Sequence, residues 1–370
     1  MAPGPEKDAK LIITGHEFHS EEAYRHLLRI HHVLGSATLI ATEENETTIF
    51  SSTGQPRHEA RPDTLFRVAS ITKTATALCA FIFCDRGLLD LDRPFASWFQ
   101  PDQLQPEDVP EGMTLRHLLS HTSGLSDPAD LEERLLRGDP FPVFLKQCIQ
   151  SSPGERFHYS NLGFGLIGCL LEQVAQQPVS TILSENVFQP LEMRATLDAS
   201  SLNREDIMPI SRVLPYHAGQ DVTVTPLGQR ALTEPDPLRH YGYTAGSMYA
   251  DIFALRNMMR CLREGGRPLV SSPIWQEMRR AHTSYGKLSP TLSYGLGLLI
   301  IEDPGLSAGR ILGHQGFAYG CVDGAFIEEN TGHMVIMVNG GASEARKGRL
   351  GLLNHDLLKL TLRKELPQWQ

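Results

Sequence analysis

The sequence predicts an α/β fold of the α+β type: an antiparallel sheet flanked by helices, with an inserted, mostly helical lobe. Two strand-like segments lie near the start of the chain, three more lie near its end, and helical patterns fill the stretch between them. Both ends are therefore expected to build one sheet. The expected units are a discontinuous sheet-containing lobe, residues 1–86 with 285–370, and a helical lobe, residues 87–284, with the functional site at their junction.

The N-terminal part is predicted to contain one helix and one hairpin. The first fifteen or so residues carry no pattern and are expected to form a loose tail. Residues 20–33 have helical spacing, with Ser20 as a candidate N-cap and acidic residues in the first turn. Residues 37–42 and 46–50 are two strand-like runs around a short polar turn, which is the pattern of a β-hairpin.

The segment from Val68 to Cys84 is apolar on nearly every face of a helix, which is typical of a buried helix, and Gly87 provides a stop. Ser70 and Lys73 lie three residues apart at its start, so they share a face beside the free N–H groups of the first turn. Taken alone, this spacing is more often an exposed N-cap serine with a solvated lysine.

Helical patterns continue through the middle of the chain, and strand patterns return near its end. The predicted helices are 115–120, 141–150, 161–176, 178–188 and 251–264, the predicted strands are 296–301, 324–328 and 333–339, and the predicted closing helix is 346–362. Residues 196–240 are without a clear pattern. That stretch and the loop near Tyr285 are expected to shape a pocket.

Composition and charge exclude several classes of function. The 370 residues carry a formal net charge of −9 and have no basic footprint, so nucleic acid is not expected as a partner. No apolar run has the length of a membrane span or of a signal peptide, so a cytoplasmic protein without a membrane partner is expected. The six cysteines form no Cys-x-x-Cys pair and are expected to be buried thiols. Neither a metal nor another cofactor is expected, and the oligomeric state is left open.

Two further segments carry residues that could act with Ser70 and Lys73. Tyr159 and Asn161 flank the start of a predicted helix, where they are either a loop tyrosine and a helix cap, or a second base and an amide donor. The segment from Gly313 to Phe317 lies among the late strands. Its glycines are either ordinary strand residues or a place where a substrate backbone approaches closely.

Three ordered motifs resemble the serine β-lactamase-like superfamily, which includes class C β-lactamases, DD-peptidases, D-aminopeptidases and family VIII-type esterases. These motifs are Ser70-x-x-Lys73, Tyr159-x-Asn161 and His314-x-Gly316, related to the sets known for penicillin-handling enzymes. Flanking segments agree, among them Leu118–Leu125 and Pro153–Glu155. The resemblance extends over about residues 30–362 and implies a β-lactamase-like fold.

The resemblance also implies a role for each motif residue. Ser70 is expected to attack a carbonyl, with Lys73 and Tyr159 sharing the general-base role and either of them holding the proton. The backbone N–H groups of Ser70 and Phe317 are expected to form the oxyanion hole. The residues expected to bind substrate are Asn161, His314 and Gly316. Histidine at 314 replaces the lysine of penicillin-handling relatives, so efficient turnover of β-lactams is not expected.

The leading hypothesis is a serine hydrolase that cleaves small esters or amides through an acyl-serine intermediate. A second hypothesis is an acyltransferase that uses the same acyl-enzyme with an alcohol or amine in place of water. A third, from another class, is a catalytically silent protein that retains the fold for binding or assembly. The intact motif residues argue against the third hypothesis.

Two other patterns are not interpreted as sites. Gly163, Gly165 and Gly168 match the spacing of a dinucleotide-binding loop, but no strand precedes them, and close helix packing is the better explanation. His117 and His121 have the spacing of a metal pair on a helix. No third ligand accompanies them, and both are expected to be structural.

Overall fold

The computed structural model describes residues 9–16, 20–52, 58–213, 220–221 and 232–364. Within them, nine strands form one antiparallel sheet: β1 (Lys10–Gly15), β2 (Ser36–Ala41), β3 (Glu46–Ser52), β9 (Thr283–Ser284), β10 (Leu292–Tyr294), β11 (Leu299–Ile301), β12 (Ile311–Ala318), β13 (Cys321–Glu328) and β14 (Met334–Asn339). Short strands outside this sheet are β4 (Phe66–Arg67), β5 (Ala195–Thr196), β6 (Ser211–Arg212), β7 (Gln220–Asp221), β8 (Tyr249–Ala250), β15 (Arg346–Lys347) and β16 (Leu350–Gly351).

The two ends of the chain meet in the middle of the sheet. Its strand order is β1-β3-β2-β14-β13-β12-β11-β10-β9, so the N-terminal hairpin pairs with a strand from the C-terminal part. Thr38 of β2 lies opposite Met337 of β14. The prediction that both ends complete one antiparallel sheet, with helices flanking it, is confirmed.

Helices cover both faces of this sheet. The α-helices of the described residues are α1 (Glu21–Ile30), α2 (Thr72–Asp85), α3 (Leu115–Leu119), α4 (Leu131–Arg137), α5 (Pro142–Leu145), α6 (Asn161–Ala175), α7 (Val179–Leu183), α8 (Ile252–Arg263), α9 (Ser272–Arg279) and α10 (Leu352–Leu358). Successive side chains of a strand point to opposite faces. Accordingly, Val335 packs in a core with α1 and α10, whereas Ile336 packs in the larger core with α2, α6 and α8.

Helix α2 is buried along nearly its whole length, as its apolar pattern predicts. Residues 72–83 are all buried, and α2 contacts α6, α7 and β12. Its buried hydroxyls have partners: Thr74 Oγ1 donates to the Gly297 carbonyl at 3.2 Å, and Thr76 Oγ1 donates to the Thr244 carbonyl at 2.9 Å. Each such bond contributes on the order of 1 kcal/mol, and an unpaired buried hydroxyl would be costly.

Gly165 and Gly168 of α6 allow close packing against the segment 241–245. A Cβ at Gly165 would lie 1.5 Å from the Tyr241 carbonyl oxygen, and a Cβ at Gly168 would lie 2.5 Å from Thr244 Oγ1. Only glycine permits this approach, because the Cβ of any other residue would overlap those atoms. Packing against 241–245 therefore explains the glycines better than a dinucleotide-binding loop does.

Several predicted boundaries are wrong for identifiable reasons. Residues 10–15, expected in a loose tail, form edge strand β1, and Ser20 makes no capping bond through its side chain. The predicted closing helix at 346–362 begins only at Leu352, because Gly348 has a φ of +62° and turns the chain between β15 and β16. Helices α4 and α9 were not predicted.

Two remaining expectations concern burial and the membrane. The cysteines are free thiols, and all but the half-buried Cys84 are buried as expected. No helix of the described residues is long and apolar enough to cross a membrane. The division of the chain into lobes 1–86 with 285–370 and 87–284 stays a prediction.

Candidate active site

Ser70 lies on a tight 3₁₀ turn, Ala69–Ile71, that leads into α2. Ala69 has a φ of +45°, a left-handed conformation that costs a non-glycine residue roughly 1–3 kcal/mol. The surrounding bonds hold this conformation in place. Thr72 Oγ1 donates to the Ala69 carbonyl at 2.6 Å and accepts from the Met248 N–H at 3.1 Å. The Ser70 side chain, which is half-buried, thereby lines the cavity that contains the site.

Gly316 of β12 packs directly against this turn. A Cβ at Gly316 would lie 2.5 Å from the Val68 carbonyl oxygen and 3.3 Å from the Ala69 Cβ. The glycine therefore allows β12 to approach the Ser70 turn. The next residue along the strand, Phe317, lines the same cavity as Ser70.

Lys73 is fully buried and points at Ser70. Its Nζ lies 3.1 Å from Ser70 Oγ, and it donates to Asn161 Oδ1 at 2.9 Å and to the Ala245 carbonyl at 2.6 Å. Burial lowers the pKa of Lys73 to about 7, and the negative charge of Asp127 partly opposes that effect. Near neutral pH, a large fraction of the lysine is therefore an uncharged amine beside the serine hydroxyl.

Tyr159 lies on the loop before α6 and adjoins both residues. Its ring centroid is 4.9 Å from Lys73 Nζ and 4.2 Å from the ring centroid of His121. Burial raises the pKa of Tyr159 well above its usual value, and a hydrogen bond with the Ser70 hydroxyl offsets only part of the rise. The tyrosine is thus a neutral phenol at pH 7, so of the two candidate bases Lys73 is the one in a form that accepts a proton.

Asn161, the first residue of α6, is held by Asp127, a residue that the sequence reasoning missed. The Asp127 carboxylate accepts hydrogen bonds from the backbone N–H and the side-chain Nδ2 of Asn161, at 2.9 and 3.0 Å. It also accepts from the Ser160 hydroxyl at 2.7 Å and from the Leu162 N–H at 2.9 Å. No local sequence signal links Asp127 to residues more than thirty positions away.

His314 lines the cavity but is not arranged as a hydrogen-bond donor to substrate. Its Nδ1–H donates to the Gln315 carbonyl at 2.6 Å, and its Nε2 accepts from the Tyr294 hydroxyl at 2.8 Å. Burial, assisted by the charge of Lys73, lowers the pKa of His314 to about 3. The ring is therefore neutral with both nitrogens engaged, which disagrees with the expectation that His314 binds substrate directly.

His121 belongs to the aromatic cluster around Tyr159. Its Nδ1 accepts from the Ser160 N–H at 3.1 Å, while His117 Nδ1 lies 3.0 Å from Thr114 Oγ1 in the capping box of α3. Among the described residues, no group of three or more His, Cys, Asp or Glu side chains could hold a metal ion. Both histidines have structural partners, as expected.

The cavity beside Ser70 has a volume of about 450 Å³. It is lined by Ser70, Phe157, His158, Tyr159, Asn161, Tyr285, Leu299, His314, Gln315, Phe317, Arg346 and Arg349. Tyr285 contributes to the wall as expected. None of the described residues of 196–240 does, and residues 214–219 and 222–231 of that stretch lie outside the described residues.

Two arginines of the β15–β16 hairpin form one wall of the cavity. The Arg346 guanidinium lies 4.2 Å from the Phe317 ring centroid, and within the described parts of the chain neither Arg346 nor Arg349 pairs with a carboxylate. Gln315 fastens the hairpin to β12: its Nε2 donates to the Arg349 carbonyl at 2.7 Å, and its Oε1 accepts from the Gly351 N–H at 2.9 Å.

Comparison with known proteins places the chain among hydrolases. Esterase EstB of Burkholderia gladioli is 27% identical over 375 residues, covering 89% of this chain and 91% of that protein. Penicillin-binding protein 4* of Bacillus subtilis strain 168 is 24% identical, covering 79% of this chain and 66% of that protein.

Solved structures of this fold include a D-amino acid amidase from Ochrobactrum anthropi SV3, in complex with L-phenylalanine amide. It matches with a TM-score of 0.72 at 23% identity, over 93% of this chain and 98% of its own. EstCE1, described as a hydrolase with promiscuous acyltransferase activity, matches with a TM-score of 0.71 at 23% identity, over 92% and 97%. The family model described as Beta-lactamase matches residues 21–358. The resemblance inferred from the motifs is thus confirmed, and the chain belongs to the beta-lactamase family of serine hydrolases.

Proposed function

We propose that the chain hydrolyses small esters or amides through an acyl intermediate on Ser70. The observation that carries the proposal is that Ser70 Oγ lies 3.1 Å from the Nζ of Lys73. This lysine is fully buried, and its pKa is lowered to about 7. A serine hydroxyl is a weak nucleophile until a neighbouring base takes its proton. At pH 7, a lysine with the ordinary pKa is neutral in about one molecule in 3,000, whereas a pKa of about 7 makes roughly half the molecules neutral.

In the first half of the reaction, neutral Lys73 takes the proton from Ser70 Oγ as the oxygen attacks the substrate carbonyl. Tyr159, a neutral phenol bonded to the Ser70 hydroxyl, then donates its proton to the departing oxygen or nitrogen and regains one from Lys73. In the second half, the same pair activates water, which attacks the acyl group and releases Ser70. The protons balance within each half: the Ser70 proton leaves with the departing group in the first half, and the proton taken from water is returned to Ser70 Oγ in the second.

The negative charge on the carbonyl oxygen would be stabilised by the backbone N–H groups of Ser70 and Phe317. Support comes from the unpaired edge of β12: strand β11 pairs with residues 311–313 only, so among the described strands none pairs with β12 on this side beyond Gly313. Phe317 lies on that edge, and Gly316 brings it close to the Ser70 turn. Losing one such donor typically lowers kcat by about 10²–10³-fold.

Substrate binding would use Asn161 and the same edge of β12. One proton of Asn161 Nδ2 bonds to Asp127, which leaves the second for a substrate carbonyl. Gly316 contributes through its backbone. We assign His314 a positioning role, holding the Tyr294 hydroxyl next to the site, in place of the direct contact expected from the sequence.

Acyl transfer is the alternative, since an alcohol or amine can replace water in the second half. EstCE1, which shares the fold, is described as having promiscuous acyltransferase activity. Adding an acceptor alcohol and analysing the products separates the two: transfer predicts a new ester, and hydrolysis predicts the free acid alone. A silent binding protein of this fold would give neither product.

The test is a substrate panel run on the protein and on Ser70→Ala. The panel contains p-nitrophenyl esters of rising chain length, D- and L-aminoacyl amides, and a chromogenic cephalosporin. We expect turnover of short-chain esters, weak turnover of the cephalosporin, and a fluorophosphonate probe that labels Ser70. Continued hydrolysis and labelling of Ser70→Ala would contradict the assignment of the nucleophile. Fast cephalosporin turnover with inert esters would contradict the substrate class.

A further inference from the structure

We propose that Asp127 is a positioning residue of the active site, which orients the Asn161 amide toward Lys73 and places a negative charge behind that pair. This inference rests on the proposed function because it identifies what sets the state of the base. The sequence motifs did not include Asp127, which lies in the loop between α3 and α4.

The Asp127 carboxylate makes more hydrogen bonds than a helix cap requires. Ser160 already caps α6 by accepting from the Gly163 N–H at 2.9 Å. Asp127 adds four contacts: Oδ1 accepts from the Ser160 hydroxyl and the Leu162 N–H, and Oδ2 accepts from both nitrogens of Asn161. Two of these contacts are to side chains, and one of the two, the bond to Asn161 Nδ2, holds a side chain that lines the cavity.

That contact decides which end of the Asn161 amide faces Lys73. With Nδ2 held 3.0 Å from Asp127, Oδ1 faces the Lys73 Nζ at 2.9 Å and accepts its hydrogen bond. In the opposite orientation, the amide oxygen would face the Asp127 carboxylate, which is repulsive, and the amide NH₂ would face Lys73 Nζ, which would lose the acceptor of its hydrogen bond. Asp127 therefore makes one amide orientation much more favourable than the other.

Asp127 is also the main charge acting on Lys73. The other titratable groups that face the lysine are Tyr159 on the loop before α6, His121 on the turn after α3, and His314 on β12. Burial keeps all three neutral near pH 7, raising the pKa of the phenol and lowering those of the two imidazoles. The charge of Asp127 opposes the effect of burial on the pKa of Lys73 and favours the protonated form of the lysine. Removing that charge should lower the pKa of Lys73 further.

The test compares Asp127→Asn with the unaltered protein on a p-nitrophenyl ester. We expect kcat/KM on the plateau to fall, by up to about a hundredfold for a misplaced base partner. At the same time, the acid limb of the pH–rate profile should move to lower pH by about one unit, as for the loss of one nearby charge. A merely structural defect would lower the plateau without moving the limb.

Asp251→Asn is the matched control. Asp251 caps α8 through a 2.7 Å bond from the Ala254 N–H and does not line the cavity. Its loss should therefore change neither the plateau value of kcat/KM nor the pH at which the acid limb of the profile lies. Asp127→Glu keeps the charge and should keep the limb in place while lowering the plateau. If Asp127→Asn fails to fold, the glutamate variant carries the test, and activity equal to the unaltered protein would overturn the proposal.

A second readout requires no turnover. The Lys73 pKa is followed by NMR on protein with ¹³C-labelled lysine, the signal being assigned by its loss in Lys73→Ala. An unchanged or raised Lys73 pKa in Asp127→Asn would overturn the inference. If the unaltered protein hydrolysed no ester while this shift occurred, the proposed function would fail and the role of Asp127 would stand.

Discussion

Replacing Gly316 with alanine tests how closely β12 must approach the Ser70 turn. An added Cβ would lie 2.5 Å from the Val68 carbonyl oxygen, a distance that real Cβ atoms essentially never show. Relieving the overlap requires the strand and turn to separate by roughly 0.5–1 Å, because both atoms involved are close to rigid backbone. A misplacement of that size costs about 10²-fold in rate, and overpacking typically costs about 1–3 kcal/mol of stability.

The chain offers a matched control at Gly246, which packs against the same turn. There an added Cβ would lie 3.6 Å from the carbonyl carbon of Ala69, an ordinary contact. Kinetics on a p-nitrophenyl ester, with urea unfolding in parallel, should show Gly316→Ala impaired in kcat and stability and Gly246→Ala close to the unaltered protein. If Gly316→Ala kept its kcat within threefold and its unfolding midpoint unchanged, the inferred coupling between β12 and the turn would be refuted.

Three further predictions concern charge. The rate of ester hydrolysis should rise with pH through about 7, because only neutral Lys73 accepts the Ser70 proton; a profile flat from pH 5 to 9 would contradict this. Burial alone would raise the pKa of Asp356, but hydrogen bonds from His31 and His355 outweigh it and hold that pKa below its usual value. The contribution of ionised Asp356 to stability is therefore present above the unfolded-state pKa of about 4 and is lost as pH falls. Urea unfolding of Asp356→Asn should accordingly show a free energy of unfolding that depends less on acid pH. Replacing Arg349 with alanine should raise KM for esters that carry a carboxylate by about tenfold and leave neutral esters unaffected, as steady-state kinetics would show.

The central part of the site could be predicted from the sequence because its chemistry is carried by short motifs. Ser70 and Lys73 are one helical turn apart, so their proximity follows from local geometry. Tyr159 and Asn161 could be joined to them only through the resemblance to a family, since spacing alone does not relate residues ninety positions apart. The structure brings all four together at the start of α2.

The remaining features depend on tertiary contacts that leave no local pattern. Asp127 sits in a loop with turn-like composition, and its partners are more than thirty residues away. The pairing of His314 with Tyr294 joins two late strands, β12 and β10, which are separated in the sheet by the short strand β11 and whose register could not be predicted. The sequence predicts a helix through 346–351 because Leu350, Leu353 and Leu357 continue a helical period, but the left-handed turn at Gly348 makes this segment a hairpin.

The attachment of the β15–β16 hairpin through Gln315 separates two properties of the protein. The nucleophile and its base belong to α2 and its preceding turn, whereas the arginine wall belongs to a hairpin joined to β12 by the two bonds of one side chain. Substitutions at Arg346, Lys347 and Arg349 therefore change the surface that a substrate meets and leave the helix that carries Lys73 unaltered. Such an arrangement suits diversification: a library at Arg346, Lys347 and Arg349 should yield altered substrate preference at little cost in folding, with Gln315 and the left-handed Gly348 as the residues to keep fixed.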